Sequence, residues 1–373
     1  MSGNEPILTK ADDFPIHQTP DPIAVSGTDR NFYDRYFFNG YTQDGSLFFA
    51  CAMGVYPHLN IIDASFSVVA DGVQTNLRAS RVLNMERMDL QVGPITVEVV
   101  EPLSQLRLRI EAADRGIEAD LLFQKRADAI KEPRFTYRNG PRAFMDYTRL
   151  TQNGSYTGSL SLNGQTFDIN AMQLRGTRDR SWGIRPVGMP DPQPQVPPAL
   201  PQFYWLWSPI NFDDCLMFFH ANDDAEGRPW NRKAVVHELS QPGPTIGDAV
   251  ATLDFASGSR HAKGATIETK GFEGGDYSLE LTPHWHFYMH GIGYGHPEWG
   301  HGRYHGDLEV AHDSFALTDI DESDMSNNHI QAFCSAVLTG PDGKQRQGAG
   351  ILEQLIIGAH APSGFTDLFD LAP

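Results

Sequence analysis

The sequence predicts an all-β protein built as two antiparallel, barrel-like halves. Three observations carry that expectation. Short alternating apolar and polar runs, punctuated by turn dipeptides, fill almost the whole chain, which is the period-two pattern of half-buried strands. Apolar patterns of helical period are scarce, and 35 glycines with 25 prolines oppose long helices. Runs of one character stand on both sides of a proline-rich segment, as two packed barrels require.

Residues 1–25 carry Pro15, Pro20 and Pro22 without any period and read as an extended lead-in. The first half, 26–185, contains the runs YFFNGY, SLFFACAMGVY, FSVVADG, ITVEVVEP, LRLRIEA and IEADLLFQK. Asn39-Gly40, Asp44-Gly45, Asp71-Gly72 and Gly93-Pro94 mark turns between them, and SLSLNGQTFDI is a hairpin about Asn163-Gly164. Between Pro186 and Pro201 lie seven prolines in sixteen residues, each without an N–H to give a ladder. The segment 186–202 is therefore expected to link two domains, with a lid over a pocket as the other reading. Strand-like runs resume over 203–373, from QFYWLWSPINF to GILEQLIIGAH.

Composition narrows the function. Against 29 basic residues stand 47 acidic ones, a formal charge of −18 that disfavours nucleic acid and anionic membranes. Cys51, Cys215 and Cys334 are far apart and form no CxxC pair, so neither a disulfide framework nor a zinc knuckle is expected. The N-terminus lacks a basic segment followed by an apolar one, and no apolar run reaches the length of a membrane span. A soluble cytoplasmic protein is expected, with oligomerisation left open. Phosphate loops, nucleophile elbows and dinucleotide fingerprints are absent from the sequence.

Two stretches could carry chemistry. Residues 284–307 hold six of the fourteen histidines and six glycines among tryptophans and tyrosines. By period two, His284, His286, Tyr288 and His290 share one strand face, while Trp285, Phe287 and Met289 take the other. Tyr294, Trp299 and His301 then follow on a glycine-rich loop of the kind that rims pockets. The histidines admit three roles, as metal ligands, as acid–base groups or as a polar network between barrels. The loop is too aromatic for a tight metal cage, so no metal and no other cofactor is expected. The second stretch, GTRDRSWGIRP at 176–186, sets Asp179 between Arg178 and Arg180; neighbouring cations predict an ionised Asp179, in a proton-transfer site or in an interdomain salt-bridge knot. Tyr204 and Trp205 in YWLWSPINF are candidate pocket walls, and Glu353, a charge inside an apolar run, either faces water or pairs with a histidine or arginine.

Asp179-Arg180-Ser181-Trp182-Gly183, following a strand in a two-part all-β chain, resembles the hydroxyneurosporene synthase (carotenoid 1,2-hydratase) and AttH-like superfamily. GIGYGHPEWGHGRYHGDLEV and GAGILEQLIIGAHAPSGF are similar to a large bacterial family of that fold without assigned chemistry. The resemblance spans most of the chain past residue 25. It implies two tandem lipocalin-like barrels, a hydrophobic ligand cavity, and the cofactor-free hydratase or pericyclase activities of relatives. Where the hydratases carry Asp-His-Asn-Trp-Gly, this chain has Arg180 in place of the histidine, which turns expectation from alkene hydration toward an anionic or carbonyl-bearing substrate. Asp179 carries over as proton donor and Trp182 as the ring that steadies a cation.

The expected protein is thus a cofactor-independent lyase, hydratase or isomerase acting on a hydrophobic terpenoid, steroid-like or aromatic compound, or else a carrier for one. Its catalytic residues are expected to be Asp179, Arg180, His284 and His286. Trp182, Tyr204, Trp205, Tyr288, His290, Tyr294, Trp299 and His301 are expected to bind the substrate.

Overall fold

A computed structural model describes residues 8–25, 27–193, 196, 198 and 201–373; the remainder of the expected lead-in and of the proline segment lies outside the described residues. The chain is all-β, in two barrel-like sheets. The strands Phe203–Phe212, Cys215–Asp223, Pro229–Glu238, Thr245–Phe255, Ala262–Lys270, Ser278–Tyr288, Ile330–Thr339 and Gln345–Ile357 close into an eight-stranded barrel. The first sheet is a meander from Phe32–Tyr41 to Val73–Val82, continued on its other side by Arg175–Ile184, Arg142–Leu162 and Ile117–Lys125. Among the described residues it has no closing ladder. The alternation read in the sequence shows directly in burial: Gln105–Ala112 turns Leu106, Leu108, Ile110 and Ala112 inward, whereas Leu47–Tyr56 is buried on both faces.

That double burial follows from the layering. One apolar core fills the first sheet, with Phe38, Phe66 and Leu108; a second fills the closed barrel, with Phe219, Ile267 and Leu352. The third lies between them, where Phe37, Tyr41 and Phe48 of the first sheet meet Trp205, Trp207, Phe287 and Phe333 of the barrel. Strands bordering this layer need apolar side chains on both faces.

Sequence order assigned everything after residue 203 to the second half, and here the structure differs. Leu308–Ala316 leaves the closed barrel and pairs antiparallel with Val73–Val82, as the edge of the first sheet. Its Val310 packs on the first core, and Gly93 lies close against Val310 and Leu308. Val73–Val82 needed a partner for its outer ladder, and the crossing strand supplies one. The beginning of the proline segment is also held in place. Arg30 donates to the carbonyls of Val187 (3.0 Å) and Met189 (2.9 Å), and Gly188 N–H donates to His301 O at 2.7 Å.

Gly183, the last residue of the Asp-x-x-Trp-Gly pattern, has φ 140°, a conformation L side chains rarely adopt. A Cβ there would meet the Asp146 carbonyl and Tyr147 backbone of the neighbouring strand. Gly183→Ala is therefore expected to cost about 1–3 kcal/mol or more in strain and clash, read as a lower denaturation midpoint in urea.

Candidate acid–base site between the two sheets

The strand Arg175–Ile184 runs between Phe32–Tyr41 and Arg142–Leu162, so that Asp179 lies opposite Phe37 on one side and Thr151 on the other. Phe37 and Asp179 share the face that looks at the closed barrel. Asp179 is only partly buried by surface area, yet desolvation dominates its surroundings and pushes its carboxyl up to about 7. Arg149 and Arg35 pull the other way, while Glu132 and Glu353 push with the burial. None of the hydrogen bonds among the described residues is made to the Asp179 carboxyl. A carboxyl walled in by protein, without a committed donor, is neutral about half the time near pH 7. The arginines read beside it in sequence do not hold it ionised, because successive residues on a strand face opposite ways.

Around Asp179 the fold gathers charges from distant parts of the chain. Arg149 is ion-paired with Glu132 and lies over the Trp205 ring at 4.4 Å. Burial alone would raise Glu132, but Arg149 and His220 outweigh it and hold the carboxylate below its usual range. Thr151 donates to Glu132 and accepts from Trp207 Nε1 at 3.3 Å. Buried His220 is pushed down to about 4, chiefly by desolvation, and is a neutral ring at physiological pH. On the other side Glu353 accepts from Trp205 Nε1 (3.0 Å) and Gln331 Nε2 (2.8 Å) and meets His329 Nε2 at 2.9 Å. The sequence left Glu353 between water and an ion pair; it is buried and paired.

The glycine loop reaches the same layer through Tyr294 and His301. His301 Nδ1 lies 2.9 Å from Arg35 Nη1 and 3.1 Å from Arg185 Nη2, while its Nε2 lies 2.6 Å from the same Arg35 Nη1 and 2.9 Å from Ile292 O. Guanidinium groups can only donate, so one ring nitrogen of a neutral His301 accepts from them. Burial and the two arginines hold the ring well below the ordinary histidine range, so His301 is an acceptor and not a proton shuttle. Tyr294 packs edge-on to His301 and His329, at 4.5 and 4.7 Å between centroids, with Arg35 over its ring at 4.9 Å.

The other sequence candidates disperse. Arg180 points into the first sheet, ion-paired with Asp34 and 4.1 Å over the Tyr36 ring, so it cannot hold a substrate oxygen beside Asp179. Trp182 shares that opposite face and is 39% exposed; it does not steady a cation next to Asp179. His284 occupies a register shift between Pro283 and Trp285, is exposed, and meets Ser335 Oγ at 2.9 Å. The shift takes it off the face expected from period two. His286 and Tyr288 turn toward the closed barrel, where both meet Glu322 Oε1, at 2.7 and 3.2 Å. Tyr204 is buried inside that barrel, stacked on His360 at 3.9 Å. His290 lies over Phe315 at 5.2 Å. Trp299 stacks on His305 at 4.0 Å and lines a crevice with Asp63, Arg78 and Ser80. Of the expected residues, Asp179, Trp205, Tyr294 and His301 adjoin the central charged layer. Arg35, Glu132, Arg149, His220 and His329 belong to it without having been singled out.

Folded Asp179 keeps its proton to about pH 7, whereas an unfolded aspartate loses it near 3.9. The ionised form therefore costs stability that grows from about pH 4 to about pH 7. Asp179→Asn is expected to raise Tm at pH 8 and leave it unchanged near pH 4, as followed by thermal denaturation. An equal or reversed difference at pH 8 would contradict the shift.

The fold, two barrel-like sheets in one chain, is consistent with two tandem lipocalin-like barrels. A protein from Nitrosomonas europaea described as an AttH is 13% identical, with 92% of this chain and 98% of that one aligned at a TM-score of 0.52. Kievitone hydratase from Nectria haematococca (12% identity, 94% and 96% covered, TM-score 0.49) and CghA with Sch210972 (11%, 88% and 89%, 0.49) are also similar. The superfamily resemblance read from the sequence is borne out as a likeness of fold, and fold alone does not assign chemistry. The chain belongs to DUF8625, a family of unknown function whose model matches residues 8–366. No curated protein matches it. Among the described residues no helix is long and apolar enough to cross a membrane.

Proposed function

We propose that the protein is an acid–base enzyme, a lyase, hydratase or isomerase, in which Asp179 gives and takes the proton. The observation that carries this reading is the Asp179 carboxyl itself, pushed up to about 7 between the sheets and free of hydrogen bonds from the described residues. A carrier has no need of such a group, whereas a general acid works best with its pKa near the operating pH. Phe37, opposite Asp179, and Trp205 of the same apolar layer supply aromatic surface on its face, which suits a hydrophobic terpenoid, steroid-like or aromatic substrate. Arg149 and Arg35 flank the carboxyl and take over the role that sequence gave to Arg180, polarising a carbonyl or meeting an anionic group.

The test is incubation of the purified protein with a panel of polyenes, terpenoids, steroids and phenolic compounds in deuterated water, without added cofactor. Mass spectrometry is expected to show at least one compound gaining water or exchanging a carbon-bound hydrogen. Compounds that raise Tm yet are recovered unchanged throughout would favour a carrier and overturn catalysis.

A further inference from the structure

A cluster outside the acid–base layer points to a ligand of its own. His286 on the strand Ser278–Tyr288, His261 just before the neighbouring strand Ala262–Lys270, and Glu322 on the loop after Leu317–Asp319 converge at the closed barrel. Their donor atoms lie within 4.8 Å of one another. His286 Nδ1 is 2.7 Å from Glu322 Oε1, and His261 Nδ1 is 3.6 Å from Glu322 Oε2. A tetrahedral ion with bonds of about 2.0 Å holds its ligand atoms roughly 3.3 Å apart, so the three donors, within 4.8 Å of one another, would draw together around it.

His261 is the most informative member. It is 1% exposed; its Nδ1 stops 3.6 Å from Glu322 Oε2, beyond hydrogen-bond length, and its Nε2 has no partner among the described residues. Burying an imidazole whose nitrogens make no full hydrogen bond is costly, and an ion between His261 and Glu322 would remove that cost. Glu322 has the remaining features of a ligand. Tyr288 Oη donates to its carboxylate at 3.2 Å, as outer partners orient metal-binding carboxylates, and its side chain is 37% exposed, which leaves an entry path.

We propose that His261, His286 and Glu322 bind a divalent transition-metal ion of the zinc class. Two imidazoles and one carboxylate suit zinc, cobalt or ferrous ions over calcium or magnesium. Glu322 sits on the return leg between Leu308–Ala316 of the first sheet and Ile330–Thr339 of the closed barrel. The ion would thus pin the crossing segment to the barrel, apart from Asp179. Sequence reading expected no metal because the loop after the histidine strand is too aromatic for a tight cage; the fold brings a carboxylate to His286 from 36 residues further along.

The test uses the full chain without a histidine tag, stripped with chelator and titrated with Co²⁺ alone, then displaced with Zn²⁺. The expected result is one equivalent bound, with visible absorption of a low-symmetry cobalt complex and a rise in Tm that follows the ion concentration. Glu322→Gln, on an accessible loop, and His261→Ala are each expected to weaken binding more than tenfold, while His284→Ala leaves it unchanged. Absence of stoichiometric binding to the unsubstituted chain, or equal affinity in Glu322→Gln, would overturn the proposal.

Discussion

Asp179→Asn is expected to lower turnover about a hundredfold or more while leaving fold and ligand affinity intact. Asparagine keeps the shape of the neutral carboxyl but cannot move a proton, and loss of a positioned acid or base typically costs two to four orders of magnitude, about 10²–10⁴-fold. The substitution also leaves no orphaned partner, because no hydrogen bond among the described residues is made to the Asp179 carboxyl. If the protonated form is the reactive one, kcat/KM of the unsubstituted enzyme should fall as pH rises through about 7. An Asp179→Asn protein that is folded and turns over at the original rate would move the chemistry elsewhere.

Glu132→Gln is expected to be the most destabilising polar substitution in the layer, at about 3–5 kcal/mol. Glu132 is 2% exposed and Arg149 11% at the side chain, so removal of one charge leaves the other buried without its counterion. The loss is larger than a surface ion pair would give because little water reaches Arg149 to replace the carboxylate. Urea denaturation measures it directly, and the double variant Glu132→Gln, Arg149→Met should recover part of the loss by removing the stranded cation. A single-variant cost below about 1 kcal/mol would mean that Arg149 finds another partner or water.

These two expectations differ in how far the sequence could have led to them. The all-β class was legible because Gln105–Ala112 and its neighbours alternate as half-buried strands do. Asp179 and Trp205 were legible as a motif residue and as part of an aromatic run. Arg180 was misplaced although the period of a strand already sets it opposite to Asp179; grouping by motif overrode that geometry. Glu132, Arg149 and Arg35 carry no local signal, since each is one charge among many and acquires meaning only where the ladder brings Thr151 and Phe37 beside Asp179. The crossing of Leu308–Ala316 was equally hidden: alternation predicts a strand, but not which sheet edge lacks a partner. His284 shows a third limit, in that one register shift is enough to remove a residue from the face that period two assigns to it.

The measurement that bears most directly on the acid–base account is the titration of Asp179 itself. Carbon-13 labelling of aspartate carboxyls, with Asp179→Asn to assign the resonance, follows its ionisation by NMR across pH 3 to 9. A midpoint near 7 is the predicted result. A midpoint at or below the ordinary aspartate value of about 3.9 would make Asp179 a permanent anion held by Arg149 and Arg35, and would contradict its role as the proton donor.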